Sequence, residues 1–192
     1  MKKCLNLLRN AKKRSSRFGR KPYLTRKSLN SPVETTLINV FVVYDTKYDN
    51  TKTAAEAIVE GLGRVEGIQT SIGYVKEIDM ENLADNDVIV LGAPNHMGRP
   101  SRTMKKFVEK LAKSGLKAKH AAVFGTYSGR IRTVDRAVRK MERIVEKQLP
   151  GLRLVSPSLS IRVRGVTGPI VEGERPKCID FGTKIADQLM GK

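Results

Sequence analysis

The amino-acid sequence predicts a three-layer α/β fold, a doubly wound sheet of five parallel strands. Three observations predict it. Short apolar runs alternate five times with stretches whose apolar residues recur every three or four positions; Gly and Pro punctuate the changes; and the first run is apolar on both of its faces. Parallel strands need crossovers and crossovers are right-handed, so helices must cover both sides of the sheet.

The elements follow in order. Leu37 to Tyr44, interrupted only by Asn39, reads as a buried strand. Ala55, Ile58, Val59 and Leu62 stripe a helix that Gly61 and Gly63 end. Ile68 to Val75 is the second strand, Ile78 to Leu83 a short helical turn, and Val88 to Leu91 the third strand. Met104, Phe107, Val108 and Leu111 stripe the next helix, and Ala121 to Phe124 is the fourth strand. Val134, Val138, Met141, Ile144 and Val145 stripe a long helix that Pro150 and Gly151 stop. The fifth strand lies within Leu152 to Val163, interrupted by Pro157, and Cys178, Phe181, Ile185 and Leu189 stripe the last helix.

Residues 1–36 stand apart as a basic tail, leaving a domain over residues 37–192. The tail holds eleven Lys/Arg and one acid, has no sustained apolar period, and is broken by Pro22 and Pro32. Such a segment buries too little apolar surface to offset the entropy of ordering it, apart from a short helix around Leu5 to Arg14. It reads as a solvated extension, as an anchor for nucleic acid or an anionic surface, or as a transit peptide. The net charge of +18 is unevenly spread: residues 37–98 hold four Lys/Arg and ten acids, residues 99–164 eighteen and four. Cys4 and Cys178 lie too far apart for a metal-ligand spacing, which points to a cytoplasmic protein without a disulfide framework. No stretch approaches the roughly 18 apolar residues of a membrane helix.

Doubly wound sheets bind ligands beyond the carboxyl ends of their strands. Three loops leave those ends here. The first, Asp45 to Lys52, opens a helix whose N-terminal amides and dipole suit an anion. Thr46 and Thr51 add hydroxyls, Asn50 an amide, and Lys47 and Lys52 charge, which together suit a phosphate monoester. An N-cap and turn at Asn50 or Thr51, with nothing bound, is the competing reading. The second loop, Gly92 to Pro100, has an irregular path fixed by two glycines and two prolines, with Asn95, His96 and Met97 able to border a flat ligand. His96 has no carboxylate or cysteine near it in sequence and equally serves as a solvent-facing residue. The third loop, Gly125 to Arg130, carries Tyr127, which with Tyr48 offers two aromatic faces to a planar ring, although each fits equally as a packing residue.

These residues resemble the flavodoxin family, and within it the FMN domain of flavodiiron proteins (A-type flavoproteins). The resemblance is carried by Val43-Tyr44-Asp45-Thr46 through Thr51-Lys52, Ala54 to Ile58, Leu91-Gly92-Ala93-Pro94, Val123 to Tyr127, and Cys178 to Gly182. It implies strand order 2-1-3-4-5 and one noncovalent FMN. Carried over by position, Thr46, Lys47, Tyr48, Asp49, Asn50 and Thr51 would surround the phosphate. Pro94, Asn95, His96, Met97 and Gly98 would line one side of the ring, and Thr126, Tyr127, Ser128 and Gly129 the other. This chain departs from the family in three places. Asp49 stands where glycine is usual, Asn95 where threonine is frequent, and there is no tryptophan for the third loop. The di-iron domain needs clustered His, Asp and Glu; with only His96 and His120 in the chain, no metal chemistry is expected.

The function expected is an electron-transfer flavoprotein without catalytic side chains, shuttling electrons between redox partners. Its basic second half points to an acidic partner, such as a ferredoxin-like donor. Two alternatives remain open at this point. One is an FMN-dependent reductase of NAD(P)H and quinones. The other is a flavin-free domain of the same fold that binds nucleic acid by neutralising phosphates.

Overall fold

The computed structural model describes residues 37–129, 134–155 and 157–191. The tail and its short helix, and Arg130 of the third loop, lie outside the described residues. The strands are β1 (Ile38–Tyr44), β2 (Ile68–Tyr74), β3 (Val88–Pro94), β4 (His120–Tyr127), β5 (Arg153–Leu154) and β6 (Leu159–Arg162). The helices are α1 (Asn50–Leu62), α2 (Arg102–Leu111), α3 (Arg136–Gln148) and α4 (Glu174–Leu189), with a 3-10 turn at Glu81–Leu83.

Among the described residues every strand-to-strand pairing in the sheet is parallel, and the order is β2-β1-β3-β4-β5. β6 continues the fifth position along β4. Ala121 pairs with Leu154, but Phe124 pairs with Leu159, so two extra residues are accommodated between β5 and β6. Pro157 sits in that gap; lacking an N–H, it cannot donate to the ladder. β3 and β4 run three residues further than the apolar runs alone indicate. Gly92-Ala93-Pro94 and Gly125-Thr126-Tyr127 are therefore strand ends rather than loop.

The sheet separates two cores. Val40, Val42, Val88 and Val90 face α1 and α4, where Ile58, Leu62, Phe181 and Ile185 are buried. Val43, Ile89, Leu91 and Val123 face α2 and α3, where Met104, Phe107, Val108 and Met141 are buried. Alternate residues of one strand thus serve opposite layers, and each fully buried aliphatic side chain contributes about 1.5–3 kcal/mol.

One sequence expectation is corrected in α1. Gly61 does not end the helix; it lies inside it, and Gly63 is the C-cap. A Cβ on Gly61 would run into the Ile179 carbonyl, and one on Gly182 into the Ile58 carbonyl, so the two glycines let α1 and α4 cross in backbone contact. The Thr183 hydroxyl donates to the Gly61 carbonyl across that crossing at 3.1 Å. Cys178 is buried in the same layer, and burial pushes its thiol up to about 12, which marks it as packing rather than reactive. Among the described residues no helix is long and apolar enough to cross a membrane.

Candidate functional site

β1 lies between β2 and β3, so the chain reverses its direction of winding there. The loops leaving β1 and β3 diverge at this switch point. The first loop ends in Asp49, the N-cap of α1, which takes a left-handed conformation with φ 58° and ψ 0°. Its side chain makes no capping bond. Its carbonyl instead accepts from the backbone N–H of Thr53 at 2.9 Å and the Thr53 hydroxyl at 3.0 Å. The first turn of α1 therefore has no side-chain cap, and its amides remain directed at the loop, the arrangement that receives an anion.

Behind that turn, Thr51 is buried and its hydroxyl lies 3.0 Å from the hydroxyl of Thr126, also buried, at the end of β4. Such a pair has two protons and uses one between its members. The other is left for an acceptor placed in the cup. Asn50 does something the sequence did not indicate. Its side-chain amide donates to the Thr167 carbonyl at 2.9 Å, tying α1 to a fourth loop that leaves β6. This loop, residues 163–173, folds on itself through a Val163–Ile170 bridge, and Arg164 N–H donates to the Pro169 carbonyl. The Gly-Val-Thr-Gly-Pro run at Gly165 to Pro169, at the carboxyl end of the fifth strand, was the sequence signal for it.

The second loop is a tight turn. His96 and Arg99 exchange backbone hydrogen bonds of 2.8 and 3.1 Å, and the two residues between them, Met97 and Gly98, have φ of 53° and 77°. Two positive φ values define a type I′ turn. Asn95 braces it by accepting from Gly98 N–H at 2.6 Å, while its own N–H donates to the Thr126 carbonyl at 2.7 Å. The second loop is thereby fixed to the end of β4, where the third begins.

Eleven of the fifteen residues singled out from the sequence line one depression of about 80 Å³: Thr46, Lys47, Tyr48, Asn50, Thr51, Pro94, Asn95, His96, Thr126, Tyr127 and Ser128. Val163 and Val166 of the fourth loop complete it. The volume suits a phosphate head group. Tyr48 is 41% exposed, with the Lys47 ammonium 5.2 Å from its ring centre. Four residues sit elsewhere. Asp49 is exposed at the N-cap, Gly129 is exposed with φ 117°, Gly98 is buried against Arg136, and Met97 is 99% exposed at the tip of its turn. Met97 borders a second, wider depression of about 860 Å³ on the other side of the second loop, lined also by Lys47, Lys76, Arg99, Arg102 and Lys105. Among the described residues no group of His, Cys, Asp or Glu could hold a metal ion.

A family model described as Flavodoxin matches residues 42–165, which takes in all of the loops at the switch point. The chain belongs to the flavodoxin family. It is 37% identical to a flavodoxin of Aquifex aeolicus over 70 residues, which is 36% of this chain and 38% of that one. It is 27% identical to the type A flavoprotein FprA of Rhodobacter capsulatus over 159 residues, 80% of this chain and 34% of that one. The chain thus spans about a third of the length of these curated relatives. Among solved structures, a flavodoxin from the domain Archaea superposes with a TM-score of 0.66 at 22% identity, covering 80% of this chain and 99% of that one. The Flv1 flavodiiron core of Synechocystis superposes at 0.64 with 19% identity, covering 81% of this chain and 37% of that one. At these identities the superpositions show the fold, and the order 2-1-3-4-5 is that of flavodoxins, which place FMN at the β1/β3 switch point.

Proposed function

We propose that this flavodoxin-family chain binds one FMN without a covalent link and passes single electrons between redox proteins. The observation that carries the proposal is the uncapped first turn of α1 at the switch point, opened by left-handed Asp49 and backed by the Thr51–Thr126 hydroxyl pair. In this reading Thr46, Lys47 and the first-turn amides at Asn50 and Thr51 hold the phosphate. Tyr48 and Asp49 flank it, and the Asn50 side chain anchors the fourth loop. Pro94, Asn95 and His96 border one side of the ring, with Met97 and Gly98 beyond them, and Thr126, Tyr127, Ser128 and Gly129 border the other. FMN supplies reversible one-electron transfer, while the protein binds, orients and tunes it. The test is to record the visible spectrum of the purified protein, then release and identify its flavin. A chain that stays colourless when mixed with FMN contradicts the proposal. Steady oxidation of NADPH by the isolated holoprotein would make it a reductase rather than a carrier.

Thr51→Ala removes a buried hydroxyl and leaves that of Thr126 without its neighbour. A hydrogen bond to a charged group is worth about 1.5–3 kcal/mol, so FMN affinity is expected to fall at least about tenfold in calorimetry. Unchanged affinity would place the phosphate elsewhere.

The charge of the second half also bears on the flavin. Arg99 and Arg102 flank the second loop, and residues 99–164 hold eighteen Lys/Arg against four acids. In water, a cation about 10 Å away favours an added negative charge by about 0.4 kcal/mol, less in salt. The second one-electron potential of the bound flavin is therefore expected to be less negative than in acidic flavodoxins, and to drop as salt is added. A strongly negative, salt-independent value in a redox titration would contradict this. The matching partner is an acidic redox protein of ferredoxin type, met in the cytoplasm, where the buried, unpaired Cys178 is at home. The basic tail, residues 1–36, is then an appendage to the flavin domain of residues 37–192.

A further inference from the structure

The two helical layers differ sharply in charge. α2 carries four cations and one acid, and α3 five cations and two acids. On the opposite layer, α1 carries one cation and two acids, and α4 three of each. Ion pairing follows the same division. Glu60 pairs with Arg64 and Arg175, Glu174 with Lys177, and Asp180 with Lys184, all within or beside α1 and α4. Among the described residues no ion pair involves α2 or α3. One layer neutralises itself, and the other presents a surplus of six positive charges that no ion pair among the described residues balances.

That surplus is crowded and continuous with the candidate flavin site. The Lys140 ammonium is held below its usual range by partial burial, with Arg136, Arg99, Lys105 and Arg143 adding repulsion. Arg136 packs against the second loop: a Cβ on Gly98 would lie 2.8 Å from its Cδ. Above it stands Met97, 99% exposed and in a left-handed conformation that L residues adopt only at a cost. Met97 borders a depression whose charged lining is Lys47, Lys76, Arg99, Arg102 and Lys105 against the single acid Asp45, so this face has the make-up of an interface, with an apolar contact and a charged rim. Thr46, Lys47, Pro94 and His96 line both the wide basic depression and the smaller cup, so a partner seated over the first borders the second.

We propose that the α2–α3 layer and the Met97 turn form the docking face for an acidic electron-transfer protein, and that the α1–α4 layer takes no part. The proposal rests on the FMN reading for its purpose, but the docking itself does not need the flavin. Negative charge on the partner balances the unpaired cations and speeds encounter, with Met97 as the apolar contact. Proximity to the cup favours a redox protein over a nucleic acid, which would be bound as well by cations remote from the flavin.

The test uses the full chain and, as probe, an acidic [2Fe–2S] ferredoxin. Calorimetry gives binding with and without FMN, and stopped-flow gives reduction of the holoprotein by reduced ferredoxin. Reversing two exposed cations of the basic layer, Lys106→Glu with Arg139→Glu, is expected to weaken binding and slow reduction at least about tenfold in low salt while the flavin spectrum is retained. Met97→Ser is expected to weaken binding without changing its salt dependence. The control on the other layer, Arg64→Glu with Lys184→Glu, is expected to stay within twofold. Equal losses from both reversals, no loss from either, or tighter binding of a short duplex RNA than of ferredoxin through Lys106 and Arg139 would each overturn the proposal. If the chain takes up no FMN but binds ferredoxin with this layer preference, the docking face stands and the flavin reading falls.

Discussion

Replacing Asp49 with glycine is expected to tighten FMN binding about tenfold at low salt. Asp49 occupies the one backbone position in the first loop that turns left-handed, at φ 58°, a conformation glycine adopts at no steric cost. Aspartate tolerates that conformation better than most residues, because its short side chain bonds locally, but here it makes no capping bond. Its carboxylate is exposed at the mouth of an anion cup. Across about 6–8 Å of water, a single negative charge opposes a phosphate dianion by about 1 kcal/mol, close to a factor of ten in affinity. Asp49→Asn removes the charge and keeps a residue that accepts the left-handed turn, so it should recover most of the gain. Salt should shrink the difference between wild type and both variants. Calorimetry at two ionic strengths measures all of this. If neither variant binds more tightly, the phosphate does not lie beside Asp49.

The second large effect is on stability. Gly182→Ala is expected to cost about 3 kcal/mol, near the upper end for an overpacked core site, and to lower Tm by roughly 10 °C. An exposed glycine inside a helix behaves oppositely, since alanine there gains about 1 kcal/mol. The sign is therefore diagnostic. At Gly182 the added methyl meets the Ile58 carbonyl and, at 2.9 Å, the Leu62 amide nitrogen, neither of which can rotate aside. Gly61→Ala is expected to do the same from the other helix, and the double variant should cost less than the sum, because the first substitution already forces α1 and α4 apart. Thermal unfolding followed by circular dichroism decides the matter. A raised Tm for Gly182→Ala would mean that the helices do not cross where the backbone contacts place them.

The same glycines show where sequence reasoning reaches its limit. Strand and helix periodicity located every main element, since an apolar run such as Val40 to Val43 or a stripe such as Met104, Phe107, Val108 and Leu111 records which faces are buried. Gly61 was read as a stop signal because a helical glycine near an end fits that role. Its actual task, admitting the backbone of α4, depends on a residue 118 positions away and leaves no local trace. The division of the fifth strand at Pro157 was visible, but not the change of register across it. At the site, the chemistry of Thr51 was legible as a hydroxyl donor, whereas its pairing with Thr126 needed the first turn of α1 to be laid against the end of β4. The fourth loop makes its contact through backbone: Asn50 reaches the Thr167 carbonyl, and carbonyls are the same in every residue, so no side chain of residues 163–173 records it. Charge totals along the chain located the basic half. That the cations of α2 and α3 share one layer, with no ion pair to either helix among the described residues, depends on the two helices lying side by side.

A phosphate held by the opening turn of α1 is tested most directly by calorimetric titration of the flavin-free protein with FMN and, separately, with riboflavin. Two charge-assisted hydrogen bonds of about 1.5–3 kcal/mol each predict that FMN binds at least about a hundredfold more tightly than riboflavin, and that inorganic phosphate competes with it. Equal affinity for the two flavins, or no heat from either, would contradict it.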